Sequence, residues 1–154
     1  MSAEDDPYVL EARHSLAVMR GEAGDPGAAI AGLRRLRPDL ERVLGPGHPS
    51  TVKAMEELGD WYGAAGDPGA AVETYRGLIA HVEQHLGAGH VSVLTALDKF
   101  AMWQGRTDNP DEAVCVLTRM LSIAQQILGS DNPTIPVIKG NTAFWRAQGR
   151  RPGV

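Results

Sequence analysis

The chain has 154 residues, 43% of them apolar and only 5% aromatic, with a net charge of −4 and a single cysteine, Cys115. That is one domain's worth of chain, with a core drawn mostly from Ala, Leu, Val and Ile. It excludes an internal disulfide, and no basic stripe is present to displace counterions, so nucleic acid is not an expected partner. No run approaches the roughly 20 apolar residues of a membrane span. The acidic start, Met1-Ser2-Ala3-Glu4-Asp5-Asp6, lacks the basic and apolar parts of a secretory leader. The expected setting is the cytoplasm, with no membrane partner.

Two phrases organise the chain. Leu44-Gly45-Pro46-Gly47-His48-Pro49 returns 42 residues later as Leu86-Gly87-Ala88-Gly89-His90-Val91, and again as Leu128-Gly129-Ser130-Asp131-Asn132-Pro133. A worn copy, Asp5-Asp6-Pro7, stands one period upstream. Gly24-Asp25-Pro26-Gly27-Ala28-Ala29 is repeated letter for letter from Gly66 to Ala71, and more loosely as Asp108-Asn109-Pro110-Asp111-Glu112-Ala113. Two punctuation marks per period mean two elements per unit, stacked on their neighbours.

Each first helix is expected to begin at Asp6-Pro7, His48-Pro49, His90-Val91 or Asn132-Pro133. Proline in a first turn has no intrahelical N–H to lose. Asp6 and Asn132 are good N-caps, whereas His48 and His90 are weaker, which gives Ser50 and Ser92 a competing claim. The apolar spacing is helical: Ala12, Leu16, Met19, Ala23; Ala54, Leu58, Trp61, Ala65; Ala96, Phe100, Trp103, Thr107; Ile138, Thr142, Trp145, Gly149. Each series places one stripe on one face, read as the buried face. A small residue follows the second member each time (Ala17, Gly59, Ala101, Ala143), where a partner helix can approach closely. The tryptophans share one position per unit and are read as packing residues.

Gly24 and Gly66 suit left-handed C-terminal caps. Asp25, Asp67 and Asn109 then cap second helices over about 26–43, 68–86 and 110–128, each with proline first. Their buried stripes read Ala29, Leu33, Leu36, Leu40; Ala71, Tyr75, Leu78, Val82; and Ala113, Leu117, Met120, Ala124. Pro38 falls inside the first of them and predicts a break near Arg37. The fourth unit stops after one helix, because the tail Arg150-Arg151-Pro152-Gly153-Val154 cannot continue it. Val137, Ile138 or Phe144 on the exposed side of that helix would suit association with another copy.

Paired helices, a small-residue position and an Ala opening each second helix together resemble the tetratricopeptide repeat. The 42-residue step and the Leu-Gly-x-x-His-Pro junction are similar to its kinesin-light-chain type. Trp61-Tyr62-Gly63-Ala64-Ala65-Gly66-Asp67-Pro68 resembles arrays of actinobacterial regulatory proteins. The resemblance runs from about residue 6 to 149. It implies an all-α, right-handed solenoid of about three and a half antiparallel helix pairs, forming a single domain over 1–154. The repeats fall at about 6–43, 44–85 and 86–127, with a half repeat at 128–149. The family binds many different partners. The Asn-rich first helices of the kinesin-light-chain type are represented here only by Asn141. The Lys, Arg and Asn set that clamps two carboxylates in chaperone-binding relatives is absent.

In such an array the first helices line the concave face. Setting aside the buried stripe leaves His14, Val18, Gly21 and Glu22; Glu56, Asp60 and Gly63; Asp98, Met102 and Arg106; and Gly140, Asn141, Phe144 and Gln148. The lining is acidic in its middle, apolar at Val18, Met102 and Phe144, and has glycines at which a ligand backbone could approach. A protein or peptide segment with apolar anchors and a Lys or Arg facing Glu56, Asp60 and Asp98 fits it. His81 and His85 have a zinc-like i, i+4 spacing, but Val82 stands where a zinc-protease helix needs Glu, so no metal or cofactor is expected. Cys115 is expected near the surface, without an activating base. No nucleophile–base or acid–base carboxylate pair is legible, so no catalytic residue is assigned. The alternatives are a self-assembling module pairing through the unfinished last helix, or part of a larger signalling regulator.

Overall fold

A computed structural model describes residues 2–150. After a short 3-10 turn at Ala3–Asp5 come α1 (Pro7–Glu22), α2 (Pro26–Val43), α3 (Pro49–Ala64), α4 (Pro68–Leu86), α5 (Val91–Arg106), α6 (Pro110–Leu128) and α7 (Thr134–Gly149). Every helix packs chiefly on its immediate neighbours in sequence, as a solenoid requires. The described residues contain no strand. None of their helices is long and apolar enough to cross a membrane.

The junctions explain the helix limits. Asp6, His48, His90 and Asn132 occupy one position of the repeat, and each side chain accepts a hydrogen bond from the backbone N–H two residues on. His48 and His90 do this through Nδ1, both at 3.2 Å. The imidazoles, not Ser50 and Ser92, are therefore the caps, since a neutral ring nitrogen offers the same lone pair as an Asp oxygen. Asp25, Asp67 and Asn109 cap the second helices. Before them stand Gly24 (φ +99°), Gly66 (φ +81°) and, in the third unit, Asp108 (φ +59°). Asp108 shows that the third copy keeps the left-handed turn after losing its glycine, because Asp tolerates that region better than most residues.

Pro38 does not break α2, which stays helical throughout. The carbonyl that a residue 38 N–H would have engaged belongs to Arg34, and both residues are exposed, so water can take the free acceptor.

The core lies between first and second helices. The second-helix stripes Ala29, Leu33, Leu36, Leu40 and Ala71, Tyr75, Leu78, Val82 are buried, as are Ala113, Leu117, Met120 and Ala124. The small residues admit the second helix closely: a Cβ added at Gly59 would lie 2.5 Å from the Tyr75 ring, and one added at Gly32 of α2 would lie 2.8 Å from Ala17. Glycines one turn further on seat the indoles of the following unit. Added Cβ atoms at Gly21, Gly63 and Gly105 would meet Trp61, Trp103 and Trp145 at 2.5, 2.0 and 2.4 Å. Gly21 and Gly63 are therefore filled seats, not places for a ligand backbone.

The stripes read as buried need correction at the ends, where Ala65 and Gly149 are exposed, and in the whole of the first unit. Ala54, Leu58, Ala96, Phe100, Ile138 and Thr142 are buried, but Ala12, Leu16, Met19 and Ala23 are all exposed. The later copies pack on the second helix of the preceding unit, and no described helix precedes α1. What α1 buries is its other side, Leu10 and Ala17 in the core shared with α2 and Gly21 under Trp61 of α3. Ile138 is likewise buried, leaving Val137 and Phe144 as the exposed large residues of α7. The tail beyond Arg150 lies outside the described residues.

Candidate functional site

Three hollows lie along the first helices, and they repeat with the sequence. The first, about 350 Å³, is lined by Pro7, Leu10, Glu11 and His14 of α1, and by Leu40, Leu44, His48, Ser50 and Lys53. In the second, about 180 Å³, the same four positions carry Pro49, Val52, Lys53 and Glu56, joined by Gly47, Leu86, His90 and Ser92. In the third, about 330 Å³, they carry Val91, Leu94, Thr95 and Asp98, and Asn141 closes the side made by α7. Each hollow thus has an apolar floor where first and second helices meet and one titratable group at its inner edge: His14, Glu56 or Asp98.

Those three groups differ in their partners. His14 donates from Nε2 to Glu57 of the next first helix, an ion pair when the ring is protonated. Glu56 and Asp98 have no ion-pair partner among the described residues, though both are half-buried. Burial pushes the Glu56 carboxyl above its ordinary range, and the nearby Asp60 charge adds to this. Burial pushes Asp98 up as well, against a weaker pull from Lys99. Taking a carboxylate from water without a counter-charge disfavours its ionised form.

Val18, Asp60, Met102 and Phe144 form a second row one turn along. Asp60 is already engaged: Lys99 Nζ donates at 2.9 and 3.2 Å, and the Tyr75 hydroxyl lies 2.8 Å from its Oδ1. That hydroxyl is also 2.9 Å from the Glu56 carbonyl. Burial, reinforced by Asp60, drives the Tyr75 hydroxyl far above its ordinary range, so it remains a donor. Asp60 therefore ties α3 to α4 and α5, while Glu56 beside it stays unpaired. Val18 and Met102 are half-buried. Arg106 lays its guanidinium 4.9 Å from the Trp103 ring centre, a cation–π contact. Phe144 is exposed and meets Trp145 edge-on at 4.8 Å.

The structure brings His14, Glu56, Asp98 and Asn141 to the hollows and leaves Val18, Asp60, Met102, Arg106 and Phe144 outside their walls. Sequence reasoning missed Lys53, Glu57 and Lys99. The signal was available, because Glu57 stands one period and one residue from His14, and Lys99 one turn short of one period from Asp60. His81 is spoken for, its Nε2 donating to the Pro46 carbonyl at 2.8 Å. Cys115 is exposed.

Consecutive helix pairs, indoles seated on glycines one unit back and hollows recurring at the same step define a right-handed α-solenoid built from one repeated unit. A tetratricopeptide-repeat family model matches residues 8–84, half of the chain, and the chain belongs to that family. Among solved structures it is similar to the nearly identical TPR-like repeats assigned to a kinesin light chain of Podosopora anserina. Identity is 25% and the TM-score 0.79 over 98% of this chain and 72% of that one. A single-substitution form of that same protein matches at 26% identity and TM-score 0.78, over 96% and 70%. BtubC (BKLC) from P. vanneervenii shares the fold at 16% identity and TM-score 0.77, over 93% of this chain and 56% of that one. No curated protein matches the chain.

Proposed function

We propose that the chain is a non-enzymatic cytoplasmic scaffold that holds an extended protein segment along the concave face of its first helices. Glu56 and Asp98 carry this reading. They are two half-buried carboxylates, one unit apart, each at the edge of an apolar hollow and each without an ion-pair partner among the described residues, although Lys53 and Lys99 stand near. A Lys or Arg side chain entering either hollow would supply the missing charge while its methylenes cover the apolar floor. An extended guest laid across the first helices meets one hollow per repeat. Lys99 and Tyr75 hold Asp60 fixed, which keeps this part of the surface preorganised.

The test uses fluorescent peptides in which lysines alternate with apolar stretches of varied length, beside the same peptides with Gln for Lys. Fluorescence anisotropy should show tighter binding of the Lys series. Converting Glu56→Gln together with Asp98→Asn should weaken that series by about tenfold or more, with little change for the Gln series. Equal affinity of the two series for the natural chain sinks the reading.

A further inference from the structure

We propose that copies of this chain join end to end, the outer face of α1 in one copy packing on α7 of the next as a second helix packs on its first. The proposal concerns the two ends and stands apart from the concave face. Its first support is an identity of pattern. The exposed stripe of α1 is Ala12, Leu16, Met19, Ala23. The stripe by which α6 packs between α5 and α7 is Ala113, Leu117, Met120, Ala124. The residue types and spacing are the same throughout. One set is buried, and in the other Leu16 is 48% and Met19 63% exposed. The outer face of α1 is thus already written as a second-helix packing face.

The second support is the receiving surface. In the three complete pairs, Ala17, Gly59 and Ala101 are the small residues that admit the second helix. Gly59 lies against Tyr75, which holds the same position as Leu33 and Leu117. Ala143 is the fourth of that series, and it is exposed, as is Ala147 one turn on. No described helix covers them. Seating α1 of a second copy there sets Leu16 against Ala143, a large residue on a small one, as Tyr75 sits on Gly59.

Charge agrees with the pairing. The lead-in and α1 carry Glu4, Asp5, Asp6, Glu11 and Glu22 against Arg13 and Arg20; Asp5 is taken up by Arg42 and Arg13 by Asp39, which leaves the acids in excess. Helix α7 carries Lys139 and Arg146 and no acid, with Arg150 after it and Asp131 alone in its lead-in, an excess of positive charge. Opposite signs on the two ends favour head-to-tail contact and oppose like-end contact. Because the two surfaces differ, the contact is heterologous and leaves each product with a fresh donor and acceptor end.

Sedimentation velocity over a concentration series tests this, with Leu16→Glu and Ala143→Glu as variants. Both residues are exposed, so both variants should fold, as circular dichroism will check. The natural chain should grow in mass with concentration, and each variant alone should stay monomeric. Mixed together, they should form a one-to-one dimer and nothing larger, because α7 of the Leu16→Glu chain and α1 of the Ala143→Glu chain are intact. A natural chain that stays monomeric throughout overturns the proposal and leaves these faces to a helix from elsewhere. So does association that survives either substitution, or a mixture that does not pair. The peptide assay, run on the monomeric Leu16→Glu chain, succeeds or fails independently.

Discussion

The first helix and the third and fifth carry one pattern and meet different fates. Leu16, Leu58 and Phe100 are successive copies of a single position; the last two are buried and the first is half open to water. The same holds for Met19 beside Trp61 and Trp103, the indoles resting on Gly21 and Gly63 while Met19 has no seat. An apolar stripe therefore states what a helix is shaped to touch. Whether it is buried depends on what stands next to it, which is not a local property of the sequence.

That comparison can be broken most sharply at its central position. Leu58→Ala should cost about 2–5 kcal/mol, and Leu16→Ala less than about 0.5 kcal/mol, in urea unfolding of a dilute sample. Equal losses would mean that α1 is covered in solution even at high dilution. The glycine seats give the next largest contrast. Gly63→Val drives a side chain into the Trp103 ring and should cost about 1–3 kcal/mol or more. Ala147→Val, at the same position of α7 where no indole arrives, should stay within about 0.5 kcal/mol. Thermal melts of the two variants separate a seat from an open surface.

The smallest effect sharpens the contrast at the inner edge of the hollows, where α1 has a partnered His14 and α3 and α5 have lone carboxylates. A carboxyl whose pKa is raised by folding contributes stability below the ordinary carboxylate range and loses it as pH rises through the raised value. At neutral pH Glu56 and Asp98 therefore oppose folding. Glu56→Gln and Asp98→Asn should each raise Tm by up to about 2–4 °C, the change that about 1 kcal/mol produces in a domain of this size. The gain should shrink as pH falls toward the carboxylate range, where the natural side chains are already protonated. A gain that is constant with pH would assign the effect to shape and not to charge.

The helices were legible because their limits are chemical. Proline in a first turn, a side-chain acceptor before it and a residue with positive φ at the exit recur in phase, so the second helices fall where the spacing put them. The misreadings share a cause. Between His48 and His90 and their competitors Ser50 and Ser92 the sequence leaves the cap open, because the residue name does not say which ring nitrogen is free. Pro38 is tolerated because Arg34 opposite it faces water, and the first stripe is bare because no described helix packs on it; both are facts of tertiary surroundings. At the site, the candidate positions followed from helical periodicity. The division between the lone Glu56 and the engaged Asp60 did not, because Lys99 reaches Asp60 from another helix and Tyr75 from a third.

The seating of each indole on a glycine one unit behind makes the chain extensible by copy. A second copy of residues 46–87 spliced in after Gly87 would bring its own Trp61, which drops onto the original Gly63, and would offer its own Gly63 to Trp103. Each new junction of the lengthened protein would then repeat an indole-on-glycine contact of the kind the natural protein already makes, and the track for a guest would be longer by one berth.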